Sequence, residues 1–371
     1  MSGTGPREAT TLLGAPRGAT ALFGAPRGAT TLFGHDDALA SFTRAWHAGR
    51  LHHAWLISGP GGVGKATLAY RIARTVLAGG EPEAASRRIA AGTHPDLLVV
   101  ERTASSARST EDRPKRLRQE IVIEDVAAVA SFLHRTAAMG GWRVVIVDGL
   151  DLANRNAANA LLRLIEEPPE RTVFLLIASA AGRVLPTLRS RCRTLRLASL
   201  DPATMRRALA VLLPGLADDE RQDLVGLARG APGRAVLLAA EDGLALSRLA
   251  RDVLDASPRP AGIWAYELAD SILRRENGFS TFIDLLSERI SATARADERR
   301  RVRTEEPAAS GAVPIDGPTG TPNPWVTNPW VEVCSQLAGL RTETEALNLD
   351  KRQSLLTGLD LLSRVGLLSR P

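Results

Sequence analysis

Between a short apolar run, AWLISG at residues 54–59, and a helical pattern from Lys65 to Leu77 lies Gly59-Pro-Gly-Gly-Val-Gly-Lys65-Ala66. No other segment constrains the fold as much. A strand must run into a glycine-rich turn, and the turn must release directly into the first turn of a helix. Glycines at 59, 61, 62 and 64 let consecutive backbone N–H groups curl around an anion, and the helix N-terminus adds a favourable dipole. Lys65 is placed to reach the β- and γ-phosphates of a nucleotide. The strand before and the helix after turn the glycine and lysine spacing into a phosphate-loop motif.

The flanking sequence supplies a sheet for that loop. DLLVVE (96–101), WRVVIVDG (142–149) and TVFLLIAS (172–179) are apolar runs of strand length. Between them, IVIEDVAAVASFLHRTA (121–137) starts extended and becomes an amphipathic helix, and LANRNAANALLRLIEEPP (152–169) is a helix stopped by two prolines. Strands that are apolar on both faces and alternate with helices predict a parallel sheet covered on both sides, an α/β domain. Beyond about residue 200 the strand signals vanish and only helical patterns remain.

The loop departs from a complete hydrolytic site in two places. The residue after the lysine, whose hydroxyl should ligate magnesium, is Ala66. Thr67 stands one residue later, about 100° around the helix, and is directed away from a metal at that point. Asp148 ends its strand where a second magnesium contact belongs, but the next position, a water-activating glutamate in related ATPases, is Gly149. The cradle suits ATP or ADP, the magnesium site is half present, and efficient hydrolysis is not expected.

Composition narrows the class. The chain has 371 residues, 44% of them apolar, and a net charge of +6. Of its 47 basic residues only Lys65, Lys115 and Lys351 are lysines, so arginine carries the charge. Arginine spread this evenly permits a nucleic-acid surface without demonstrating one. No apolar run approaches the ~18 residues of a membrane span, and the N-terminus lacks the pattern of a secretory signal. Two cysteines, Cys192 and Cys334, exclude a four-thiolate zinc module and a disulfide framework. A cytoplasmic location and no membrane partner are expected. His52 and His53 have no further ligand at metal spacing and read as solvated or core histidines.

Residues 6–35 are three ten-residue copies, PREATTLLGA, PRGATALFGA and PRGATTLFGH. The third abuts the globular body and is expected to dock, leaving residues 1–25 as a mobile tail. Residues 101–120 are polar. Residues 294–322 open on a charge run, Asp297 to Glu306, and pass into Pro/Gly-rich sequence. Both read as flexible insertions. The repeat NPWVTNPWV follows at 323–331, with Trp325 and Trp330 expected to anchor an ordered patch.

These motifs together resemble the AAA+ clamp-loader subunits of bacterial replication. The phosphate loop, the Asp148 strand with ANALLRLIEEPP after it, the TVFLLIAS strand, Ser190-Arg191-Cys192 and GAPGRA (230–235) follow in that family's order. THPDLL (93–98) and NLDKRQ (348–353) resemble features of one member that is not the family's motor. Ala66, Gly149 and the absence of a cysteine cluster all depart from the gamma/tau motor type, and no zinc is expected.

The resemblance implies an AAA+ domain over 26–199, a small helical lid over 200–245 and an all-α collar over 246–371. It implies that Arg191 is a finger reaching a neighbour's nucleotide, against the plainer alternative of a structural salt bridge. It gives Ser179 the sensor-1 position and Arg234 the sensor-2 position, with a helix-surface arginine as the alternative for the latter. Its partners would be gamma/tau and delta subunits in a ring, with the sliding clamp and primed DNA reached through the complex. An active motor-type ATPase and a purely structural adaptor remain as rivals.

Overall fold

The computed structural model describes residues 26–102, 120–256, 262–304 and 329–368, apart from residues 30, 140 and 276. The chain divides into two compact units, one up to Leu237 and one from Leu238. The expected lid segment 200–245 is shared between them.

The first unit is built on five strands: β1 (Ala54–Ser58), β2 (Leu97–Val100), β3 (Arg143–Asp148), β4 (Thr172–Ala178) and β5 (Arg193–Arg196). Their order in the sheet is β2-β3-β4-β1-β5, and every neighbouring pair is parallel. All strands therefore end at the same edge, and β1 delivers the phosphate loop there beside the ends of β4 and β3. Alternate residues serve opposite faces. Trp55, Ile57, Val144, Ile146, Val173, Leu175 and Ile177 pack under helices α1 (Asp36–His47), α2 (Lys65–Leu77) and α3 (Pro82–Ala90). Ala54, Leu56, Val145, Val147, Phe174, Leu176 and Ala178 face α4 (Ile123–Leu133) and α5 (Arg155–Glu166). Burial on both faces explains why these strands read as unbroken apolar runs. Fully burying side chains of this size contributes about 1.5–3 kcal/mol each.

Local signals set the helix ends. Asn154 caps α5 by accepting from the Ala157 N–H at 2.9 Å, and Pro168 and Pro169 follow its last turn. After a short helix α6 (Pro186–Ser190) and β5, helices α7 (Pro202–Leu212) and α8 (Asp218–Ala228) and the start of α9 (Pro232–Ala240) complete the unit. Asp201 caps α7 through the Ala203 and Thr204 amides, both at 2.9 Å.

The second unit is helical: α10 (Gly243–Asp255), α11 (Ile263–Leu273), α12 (Gly278–Thr304), α13 (Pro329–Leu347) and α14 (Lys351–Leu368). Its core gathers Phe279, Phe282, Ile283, Leu286, Leu337, Leu355 and Leu362. Buried Glu241 accepts from Asn277 at 2.8 Å and Thr281 at 2.6 Å, which satisfies a carboxylate that would otherwise be costly there.

One expectation is corrected. The insertion placed at 294–322 begins too early, because α12 runs unbroken to Thr304. Alanine, arginine and glutamate in ATARADERRRVRT are good helix formers, so a charge run by itself does not oppose winding. The remainder of that insertion, most of 101–120, the tail 1–25 and Trp325 lie outside the described residues. Trp330 falls within α13 and is half-buried.

Candidate nucleotide site and arginine edge

At three of its four glycines the phosphate loop takes backbone geometry that favours glycine. Gly59 has φ +155°, and a Cβ there would lie 2.2 Å from the Leu197 carbonyl oxygen. Gly62, at φ +75°, accepts through its carbonyl from the Gly233 N–H at 2.9 Å, and a Cβ on it would stand 2.8 Å from the Arg234 nitrogen. Gly64, at φ +111°, is the N-cap of α2. Gly61 meets nothing within 4 Å. The first-turn N–H groups of α2 have no acceptor inside the helix, which leaves an anion-binding end where the sequence places it.

Lys65 is buried at 7% exposure, and its ammonium donates to the carbonyls of Gly59 at 2.8 Å and Pro60 at 2.7 Å. Burial lowers its pKa, while the carboxylates of Asp148 and Asp151 pull the other way. The two carboxylates partly offset the desolvation of the buried lysine.

The metal side is less complete. Ala66 packs partly into the core and offers no oxygen; Thr67 is half-buried. Gly149 follows Asp148 at φ +94°, in the left-handed region, and starts a short 3₁₀ turn at Leu150–Leu152. A glutamate at 149 would have to adopt that strained backbone, at a cost of about 1–3 kcal/mol. Among the described residues no three His, Cys, Asp or Glu side chains cluster as metal ligands would.

Asp151 was not singled out from the sequence. Its carboxylate accepts from the Ser179 N–H at 3.1 Å and the Ala180 N–H at 2.9 Å, tying the end of β4 to the turn after β3. Ser179 is thereby fixed at the strand edge shared with the phosphate loop. The available signal was a second acid three residues beyond Asp148, at a strand end. Arg234 stands at the first turn of α9, with its backbone nitrogen against Gly62, so GAPGRA and the phosphate loop do meet.

Arg191 is elsewhere. Trp55 pairs with Arg193 and Ser58 with Arg196, so β5 starts at the opposite sheet edge from the loop, three residues and about 10 Å along the strand axis. Arg191 precedes that start. Its guanidinium pairs with Glu166, at the end of α5, at 2.8 Å and donates to the Thr187 carbonyl at 3.1 Å. The structural ion pair weighed from the sequence is therefore present. Nearby, Arg193 lies over the Trp55 ring at 5.1 Å, and His52 and His53 stack at 4.4 Å.

Cys192 donates its thiol to the Leu188 carbonyl at 3.1 Å, and burial pushes its pKa up to about 11. In a Cys334→Ser background, alkylation of Cys192 should be very slow at pH 8 and accelerate steadily up to about pH 11. Peptide mass spectrometry reads the rate; full labelling within minutes at pH 7.5 would contradict the burial.

The five-stranded parallel sheet and the glycine-rich loop after β1 define an α/β P-loop domain. Residues 34–201, somewhat under half of the chain, match the family described as DNA polymerase III, delta subunit. Within it the likeness is to the delta-prime subunit. The protein named DNA polymerase III subunit delta' of Pseudomonas aeruginosa is 36% identical over 197 residues, 51% of this chain and 55% of that protein. The Escherichia coli subunit delta' is 32% identical over 204 residues, 52% and 56% of the two chains. A DNA polymerase III subunit gamma/tau of Mycobacterium tuberculosis is 33% identical over 178 residues, 46% of this chain and 28% of that one. The chain thus spans about half the length of the curated relatives it matches. Among the described residues, no helix is long and apolar enough to cross a membrane.

Proposed function

We propose that the chain is a stator-like delta-prime subunit of a DNA polymerase III clamp loader, working in the cytoplasm. Its own nucleotide site is degenerate, and Arg191 is donated in trans to ATP held by an adjacent gamma/tau subunit. The delta subunit would complete the ring, which opens the sliding clamp and sets it on primed DNA during replication.

One observation carries this reading: Arg191 stands at the sheet edge opposite its own phosphate loop. An arginine so placed serves no phosphate bound by this chain, yet it is 43% exposed even in its pair with Glu166. A guanidinium brought to a γ-phosphoryl group stabilises the charge that develops there during transfer. Ala66 and the backbone of Gly149 support the degenerate site, and both weigh against the rival reading of an active motor-type ATPase.

The test at the cradle uses the isolated chain. Titration with a fluorescent ATP or ADP analogue should show saturable binding that Lys65→Ala removes, with no phosphate release above the uncatalysed rate. Steady-state hydrolysis by the isolated chain would overturn the degenerate site.

A further inference from the structure

The third N-terminal copy, PRGATTLFGH, is seated on the α/β unit through contacts that can be set against its sisters one by one. Pro26 is buried. The Arg27 Nε donates to the Tyr70 hydroxyl at 3.0 Å, and its guanidinium pairs with Glu101 at 3.6 Å. Arg74, on α2, donates to the carbonyls of Arg27 and, at 3.0 Å, Ala29. Leu32 enters the core beside Gly64 of the phosphate loop. Gly34 turns at φ +66°, where a Cβ would lie 2.8 Å from Leu200. His35 Nε2 donates to the Val63 carbonyl at 3.2 Å.

The second copy, PRGATALFGA, carries Pro16, Arg17, Gly18, Ala19, Leu22, Phe23 and Gly24 at the corresponding positions. Within the first nine residues it differs only by Ala21 for Thr31, and Thr31 is exposed. At the tenth it has Ala25 for His35, so the bond to Val63 is the one contact it lacks. The first copy departs further, with Glu8 for Gly28 and Leu13 for Phe33.

We propose that the groove formed by Tyr70, Arg74, Gly64 and Glu101 is a peptide site that the second copy can occupy in place of the third. Residues 26–35 then loop out before α1. Closing a loop of ten residues disfavours the exchanged form about 30-fold, from the three-halves power of its length. Loss of the His35 contact disfavours it further. The third copy therefore holds the groove at rest, and the second takes over when the third is damaged or displaced.

Trypsin reads which copy is seated, because Arg17 and Arg27 each precede glycine. In the full native chain, brief digestion should cut after Arg17 and spare Arg27. In Leu32→Asp the pattern should reverse, at least tenfold in relative rate, with Arg17 spared and Arg27 cut. In Leu22→Asp/Leu32→Asp both should be cut at the same fast rate. The reversal should not depend on protein concentration, since the exchange is within one chain. Equal cutting at both sites in Leu32→Asp overturns the proposal. So does protection of Arg17 that appears only at high concentration, which would mean docking between chains. Failure of Leu32→Asp to fold while Leu22→Asp folds overturns it too, because the second copy should have rescued the fold.

Discussion

Replacing Arg191 with alanine in a reconstituted ring should slow single-turnover hydrolysis at the neighbouring ATP site by about 10³-fold, the lower end of what arginine fingers supply. DNA-stimulated turnover of the whole ring and clamp loading should fall with it, while the isolated variant keeps its folding stability within about 1 kcal/mol. Arg191 and Glu166 are 43% and 39% exposed, and ion pairs that open to solvent contribute only about 0–1 kcal/mol. Glu166→Gln therefore separates the readings. A structural role predicts that it mimics Arg191→Ala; a finger predicts that hydrolysis largely survives. Unchanged hydrolysis and loading in Arg191→Ala would favour the structural adaptor, in which no cation crosses to the neighbour. Arg191→Lys should recover only part of the rate, because an ammonium lacks the two-pronged donor geometry.

Two glycines of the same loop should respond very differently to a single methyl group. Gly59→Ala places a carbon 2.2 Å from the Leu197 carbonyl oxygen, a backbone atom that cannot swing aside. Displacing β5 from β1 to admit it should lower unfolding stability by about 2–4 kcal/mol. Gly61→Ala meets nothing within 4 Å and should change stability by no more than about 0.5 kcal/mol. Urea unfolding gives both values, with an unchanged slope showing that the unfolded state is not the cause. Equal midpoints for the two variants would refute the packing argument. The motif is thus a structural joint between β1, the chain after β5 and the start of α9 as much as a candidate phosphate cradle.

Much of this was legible in the residues. The buried strands announced themselves because parallel strands covered on both faces need unbroken apolar runs, and β1, β3 and β4 fall within a residue or two of the expected limits. Edge strand β5 gave no such signal. RTLR has one buried residue, Leu195, because solvent covers the rest. Helix α1 was missed for a related reason: its apolar residues are small or interrupted, and Phe42 and Ala45 alone are buried. At the site, residue identity told which groups were missing, as at Ala66. It did not tell that Gly149 sits in a left-handed turn, or that Asp151 organises the Ser179 corner, since both follow from three-dimensional closure of the β3–β4 edge. The early start of the expected insertion came from reading charge as disorder, whereas arginine, alanine and glutamate are good helix formers and a charge run is compatible with continued winding.

The turn at Gly149 bears on the chemistry of the site. With φ at +94°, a glutamate at 149 would have to take a left-handed backbone conformation that side-chain-bearing residues rarely adopt. Under the proposed function, restoring a base at this position would therefore require remodelling the Leu150–Leu152 turn as well as changing the residue.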